Sequence, residues 1–354
     1  MIEIYSSKED LQQYKDAKAV SYSLLKALMS GSIEGLLEEK KTMTTETTIG
    51  SLVDYMITRN TPWEEEFVLS SNNTPTDNIN TVIKSVIPLA KEAGVSELLT
   101  ENEADEFYLP TALNKCRELG FYSNRKDETI KKMFLDEIVY FRTLMKDDQR
   151  IPITQEILEF STLLAEKIKT FLNFSQLKNA TIYYQFPYYF EIDNILCKAL
   201  PDIVIKGEYY TDIIDIKTSS EFPLGFDRSF YMFGYHIQFA LFAEAIKEEN
   251  NPRLRILAAS NKNLNYNPLY YKIEQSCVNR ALNGIPNHCK LAFNNNETFD
   301  IFTKGYKGIR DVLPLANEVM QILKDDNASK DYKRQEIYKL VNRDITRIVN
   351  RVFV

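Results

Sequence analysis

Three residues are of the types and spacing that could do chemistry in this chain: Asp202, Asp215 and Lys217, all inside the stretch ALPDIVIKGEYYTDIIDIKTSS at positions 199–220. Asp202 precedes Ile203, Val204 and Ile205, and Asp215 lies between Ile214 and Ile216. A carboxylate inside a strand of Ile and Val is costly to bury unless it is paired or bound to a metal. A turn at Gly207-Glu208 would set the two aspartates on adjacent strands, pointing the same way. Lys217 is two residues beyond Asp215 and so shares its face of the strand. Two carboxylates and the Ile216 carbonyl make an oxygen site for a hard divalent cation, Mg²⁺ or Mn²⁺, with positions left for water and phosphate. Lys217 could then lower the pKa of an attacking water or offset the charge of a pentavalent transition state. That is the chemistry of phosphodiester hydrolysis. For residues 215–217 alone an Asp–Lys ion pair at a strand edge is the better account; Asp202, in its own apolar strand, moves the balance towards function.

The elements around this stretch must position it. Segments 181–192, 195–206 and 209–217 are β-rich and joined by short turns, which predicts an antiparallel meander. A long helix is expected over 226–247. It carries Tyr235 and Gln238 three residues apart, hence on one face, where both can hydrogen-bond a phosphate or a base. Arg228, Thr218 and Ser219 are candidate contacts to a nucleic-acid backbone, although each reads equally well as part of a polar face or loop. Strands are expected again at 254–259 and 268–273.

Residues 1–60 read as helical. Ser21-Tyr22-Ser23 can cap a helix through Leu24, Leu25, Leu28 and Met29. A second helix from about Ile49 carries Leu52, Val53, Met56 and Ile57, with Asp54 on it. Residues 61–80 read as loop, and 80–146 as helical patches broken at Pro88, Gly94, Pro110 and Gly120. A helix over 154–174 is well patterned, and 330–352 is a basic amphipathic helix with Ile337, Val341, Ile345, Ile348 and Val352 on one side. The order of elements predicts an α/β (α+β) fold with a small central mixed sheet flanked by helices. Three segments are expected: a helical part over 1–150 contributing a helix to the site, a core over 151–275, and a C-terminal helical extension over 276–354.

Composition excludes several alternatives. The net charge of −7 over 354 residues argues against a uniformly basic nucleic-acid surface, though not against a local basic channel. Four cysteines without a CxxC pair and only two histidines leave no zinc or iron–sulfur signature. Reduced cysteines, no signal peptide and no apolar run long enough to span a membrane point to a cytoplasmic protein with no membrane partner.

Pro201-Asp202, then Asp215-Ile216-Lys217-Thr218, then Tyr235-His236-Ile237-Gln238 resembles the PD-(D/E)xK nuclease superfamily. Within it, residues 20–26 (VSYSLLK) and 50–54 (GSLVD) are similar to the opening helices of the phage-type exonuclease VIII, or RecE-like, group. The resemblance covers the N-terminal helices and about 150–245. It implies a restriction-endonuclease-like core and a Mg²⁺-dependent exodeoxyribonuclease acting on the ends of linear double-stranded DNA in a phage-infected or bacterial cell. A single-strand annealing protein as partner and a homo-oligomer are implied as well. By the same resemblance Asp202, Asp215, Ile216 and Asp54 would hold metal, Lys217 and Gln238 would be catalytic, and Thr218, Ser219, Arg228 and Tyr235 would contact DNA. Two positions depart from the group's pattern: Asp54 stands where a histidine is usual, and Gln185 where a glutamate is usual. An endonuclease of the same fold, or a nuclease-like scaffold that binds DNA or protein without cutting, remains open.

Overall fold

The computed structural model describes residues 2–30, 36, 43–69, 75–95, 101–145, 150–177, 179–223, 225–284, 288–292, 298–302 and 308–352. The chain divides into two compact units: Met1–Lys41 with Phe171–Val354, and Thr42–Thr170. The first 41 residues and the C-terminal third thus belong to the same unit as the central sheet.

The first unit opens with a strand, β1 (Ile2–Tyr5), where only helix was expected. Four residues are too few to declare themselves, and this strand exists because it pairs with a partner about 180 positions away. Ser7 then starts the helix Lys8–Asp16 with a capping box. Its hydroxyl accepts from the Asp10 N–H at 3.1 Å, and the Asp10 carboxylate accepts from the Ser7 N–H at 3.0 Å. The helix Tyr22–Ser30 follows as expected, burying Leu24, Leu25 and Ala27.

The Thr42–Thr170 unit is mostly helical. Thr44 caps the helix Thr45–Thr58, which buries Leu52, Val53 and Ile57 and carries Asp54. Helices Asp77–Glu92, Leu109–Glu118, Asp127–Asp136 and Ile138–Met145 close around Val82, Val86, Tyr108, Phe134 and Phe141. Pro88 does not end its helix: it sits on the exposed side, where water can replace the hydrogen bond it removes. Strands β2 (Phe67–Leu69) and β3 (Ile151–Ile153) pair in parallel, and the helix Gln155–Leu172 closes the unit.

The chain then builds the sheet. Strands β4 (Thr181–Tyr184), β5 (Tyr188–Ile192), β6 (Ile195–Ala199), β7 (Ile203–Lys206), β8 (Thr211–Ser219), β9 (Pro252–Ser260) and β10 (Leu269–Lys272) follow in order, and β11 (His288–Ala292) and β12 (Thr298–Phe302) form a hairpin. The central sheet runs β1-β4-β7-β8-β9-β10. It is mixed: β4, β7 and β8 are antiparallel neighbours, β9 and β10 are antiparallel, and β1·β4 and β8·β9 are parallel. Helices flank it, so the fold is the mixed α/β arrangement expected from the order of elements.

Two expectations need correction. The segments 181–192 and 195–206 are not single strands. Gln185 takes φ 51° and turns the chain out of the sheet, so β5 and β6 form a separate hairpin. Asp193 (φ 49°) and Asn194 (φ 62°) make its turn, with the two positive φ values a type I′ turn requires. The expected long helix is two helices, Phe226–Met232 and Tyr235–Ala245. Gly234, at φ 73°, breaks them in a left-handed conformation that glycine adopts without steric cost.

The C-terminal third is no appendage. Ile309, Leu313, Val319, Ile337 and Val341 share one core with Val204, Ile213, Ile256, Phe239 and Phe242. Ile345, Ile348 and Val352 lie outside the residues whose side chains are described.

A buried lysine ties the N-terminal helix to β6. Lys198 is 6% exposed, and its Nζ donates to the carbonyls of Tyr14 (2.5 Å), Ala17 (3.0 Å) and Lys15 (3.2 Å). These are the carbonyls that a helix leaves without internal partners at its C-terminal end. Lys198→Met is expected to lower unfolding free energy by about 1–3 kcal/mol, read from urea midpoints, because it takes the donor from the Tyr14 carbonyl, while Lys15 keeps Lys324 Nζ at 2.8 Å and Ala17 keeps the Ala19 N–H at 2.9 Å. Burial pulls the Lys198 pKa down to about 8. Between that value and the ordinary 10.5 the unfolded chain binds more protons than the folded one, so stability rises with pH there. The native protein's margin over Lys198→Met is therefore expected to widen as pH rises from about 8 towards 10.5.

Candidate functional site

β8 is the strand that makes a site possible. Its residues Thr211–Ile216 are buried, with the apolar run of β9 on one side and β7 on the other. Ile203 pairs with Ile214, so one step along the antiparallel register sets Asp202 across from Asp215. Tyr184 pairs with Ile203, so the same step sets Gln185 across from Asp202. The Gln185 N–H donates to the Asp202 carbonyl at 2.9 Å, which extends that ladder. Gln185, Asp202 and Asp215 thus form one row across β4, β7 and β8, where the paired part of β7 ends.

The carboxylate of Asp202 replaces a ladder partner. Its Oδ2 accepts from the Ile216 N–H at 2.6 Å. The N–H and C=O of one residue point to the same edge of a strand, so the Ile216 carbonyl faces this edge as well. Asp215 is fully buried, and both its oxygens are engaged. Oδ1 accepts from Gln238 Nε2 at 3.2 Å, and Oδ2 is ion-paired with Lys217 Nζ. The Lys217 ammonium also lies 5.1 Å from the centre of the Tyr235 ring.

Burial pushes the Asp215 carboxyl above its usual range, and the Lys217 charge opposes this without cancelling it. For Lys217, burial favours the neutral amine, but the carboxylates of Asp215 and then Asp202 outweigh it and raise the pKa. Lys217 is therefore a cation at neutral pH. In that state it can orient or stabilise anionic oxygen.

The break at Gly234 aims the Tyr235–Ala245 helix at the sheet, and Tyr235 and Gln238 both reach the site from it. Tyr22 was absent from the sequence-derived set. Its hydroxyl donates to the Phe233 carbonyl at 2.6 Å. Burial raises its pKa, and the charges of Lys217, Tyr235 and Asp215 act on it too, which places it beside the site. The sequence marks Ser21-Tyr22-Ser23 as a helix start and as part of the VSYSLLK resemblance, and neither signal assigns the Tyr22 hydroxyl a place at the site.

Ser219 is 7% exposed, with its oxygen accepting from the Glu221 N–H at 3.1 Å and lying 3.4 Å from the Ser229 hydroxyl; it faces the interior. Thr218 is half-buried near the end of β8, and Arg228 is exposed on the helix Phe226–Met232. Asp54 is half-buried and belongs to the Thr42–Thr170 unit. Burial lowers the pKa of His236, which packs against the rings of Phe230 and Tyr231, as suits a structural histidine.

Among the described residues no three His, Cys, Asp or Glu side chains converge as a metal cluster. The donor set is two carboxylates, one carbonyl and one amide oxygen. Gln238 Oε1 is buried beside Asp215 with no hydrogen-bond donor, an acceptor suited to a hard cation or to its water. Two carboxylates against one ammonium leave a charge of −1, and the raised pKa of Asp215 shows that Lys217 alone does not offset its burial. These residues fit a divalent cation.

No protein-family model matches the chain, and no curated protein matches it. Among solved structures it is similar to a protein from Eubacterium rectale provisionally named an exonuclease. Identity is 12%, covering 78% of this chain and 81% of that one, with a TM-score of 0.38. It also overlaps the crystal structure of SSO0001, with 10% identity, 68% and 83% coverage and a TM-score of 0.21. Both overlaps are too loose to carry a functional argument. No helix among the described residues is long and apolar enough to cross a membrane.

Proposed function

We propose that this protein is a metal-dependent nuclease of the PD-(D/E)xK kind. The observation that carries the reading is the row Gln185–Asp202–Asp215, with Lys217 on Asp215 and Gln238 reaching the same carboxylate from the following helix. Asp202, Asp215 and the Ile216 carbonyl would hold Mg²⁺ or Mn²⁺, with the Gln238 amide oxygen in reach. Bound there, the cation would supply Lewis acidity at the scissile phosphate and a lowered pKa for water. Lys217, as an ammonium, would stabilise the anionic phosphorane oxygens. Tyr235 and Gln238 would position the phosphate.

The finer assignment is an exonuclease of the phage RecE-like type. It would act on ends of linear duplex DNA, as a homo-oligomer and in company with an annealing protein. Linear duplex with Mg²⁺ is expected to be degraded while closed circular DNA of the same sequence is untouched. Nicking or linearisation of the circle would favour an endonuclease of the same fold.

One observation favours a second reading. Both oxygens of Asp215 are already engaged by nitrogen donors, and among the described residues two acids, not three, meet at the site. A scaffold that binds without cutting would look like this. Calorimetric titration with Mn²⁺ separates the two: heat saturating at one or two ions per chain fits the nuclease, and no heat above a buffer blank fits the scaffold.

A further inference from the structure

The Thr42–Thr170 unit holds a cleft of about 430 Å³ that the proposed chemistry does not use. This lies within the size range of sites that take one small ligand. One wall is the helix Gln155–Leu172, where Thr162, Glu166 and Lys169 recur at helical spacing on one face. The other is the end of the helix Thr45–Thr58 and the turn beyond it, which contribute Arg59, Thr61 and Trp63.

Two features of this lining point to a ligand. Arg59 and Lys169 face the cleft without a carboxylate partner among the described residues, and Glu166 beside them leaves the three charges at +1. Lys169 is exposed and Arg59 half-buried, so water solvates both, and an anion entering the cleft would meet two cations free to pair with it. The second feature is the half-buried indole of Trp63, the one tryptophan of the chain. A flat apolar ring beside two cations is the pairing that takes a planar base joined to a phosphate. Inorganic phosphate would leave the indole idle, and an apolar ligand would leave both cations uncompensated.

We propose that this cleft binds one nucleotide unit, with its phosphate on Arg59 and Lys169 and its base against Trp63. Glu166 then faces the sugar hydroxyl or the polar edge of the base, and its charge disfavours a second phosphate. The inference stands apart from the nuclease reading, because it uses none of the same residues.

Trp63 fluorescence reads the cleft directly. The full chain, in EDTA so that no hydrolysis occurs, is titrated with thymidine monophosphate, a short oligothymidylate, thymidine and inorganic phosphate. Saturable quenching by the monophosphate or the oligonucleotide is expected, with thymidine and phosphate weaker by about tenfold or more, since each lacks one half of the recognition. Equal affinities for monophosphate and oligonucleotide identify a free nucleotide as the ligand; a much tighter oligonucleotide identifies a nucleic-acid strand. Arg59→Gln is expected to weaken binding by about tenfold or more, and Lys169→Gln in the same direction, with thermal midpoints unchanged. No saturable quenching by either nucleotide probe, thymidine binding as well as its monophosphate, or Arg59→Gln binding like the native chain would overturn the proposal.

Discussion

Lys217→Ala is expected to slow hydrolysis of linear duplex DNA by about 10²–10³-fold, the usual consequence of removing one preorganised donor to a developing anion. The ammonium is held between Asp215 and the Tyr235 ring, and its proton is secured by two carboxylates. Alanine removes the charge and leaves Asp215 with Gln238 alone. Asp215 already binds a proton more readily than an ordinary aspartate, so it can neutralise itself and spare the fold. The variant should therefore keep the native circular dichroism spectrum while losing turnover, with KM for DNA little changed. A folded Lys217→Ala protein within about threefold of native activity would refute the role given to this lysine.

Asp202→Asn is expected to abolish divalent-metal binding and hydrolysis together while preserving the strand edge. Asparagine keeps a side-chain oxygen to accept the Ile216 N–H, the bond Asp202 makes at 2.6 Å, but it carries no charge. The site then holds one carboxylate against one ammonium, and its attraction for a divalent cation falls sharply. In the native protein Mn²⁺ should raise the melting temperature, because a ligand that binds only the folded state stabilises it; at one hundred times Kd this amounts to about 2.7 kcal/mol. Asp202→Asn should show no such rise and should melt close to the metal-free native protein. A variant that still gains stability from Mn²⁺ would mean that the cation is held elsewhere. Asp202→Ala is the contrasting case: it loses the acceptor too, and should be less stable than Asp202→Asn by about 1–2 kcal/mol.

Several placements within the candidate site were legible in the sequence. Carboxylates flanked by Ile and Val announce themselves because burial of an unpartnered charge is so costly. Spacing of two on a strand and three on a helix then sets which residues share a face. Tyr235 and Gln238 follow from the second rule, Lys217 from the first. Gln185 drew attention as a departure from a family pattern, and the register gives it a position in the same row as both aspartates. Tyr22 and β1 escaped notice because each depends on a partner far away in the chain: the hydroxyl of Tyr22 on Phe233, and β1 on β4.

The sequence by itself determined the mixed α/β class, the strand that carries Asp215, the face that Lys217 shares with it and the helix face shared by Tyr235 and Gln238. All of these are short-range consequences of periodicity and of the cost of burying charge. Only the tertiary structure decided that β5 and β6 leave the sheet at Gln185, that Gly234 splits the following helix, and that the C-terminal third packs into the same core as the sheet. It also decided that Asp202 meets the Ile216 N–H and that Gln238 meets Asp215. Such outcomes rest on strand register and on close packing between elements distant in sequence, and no local preference of the chain encodes either.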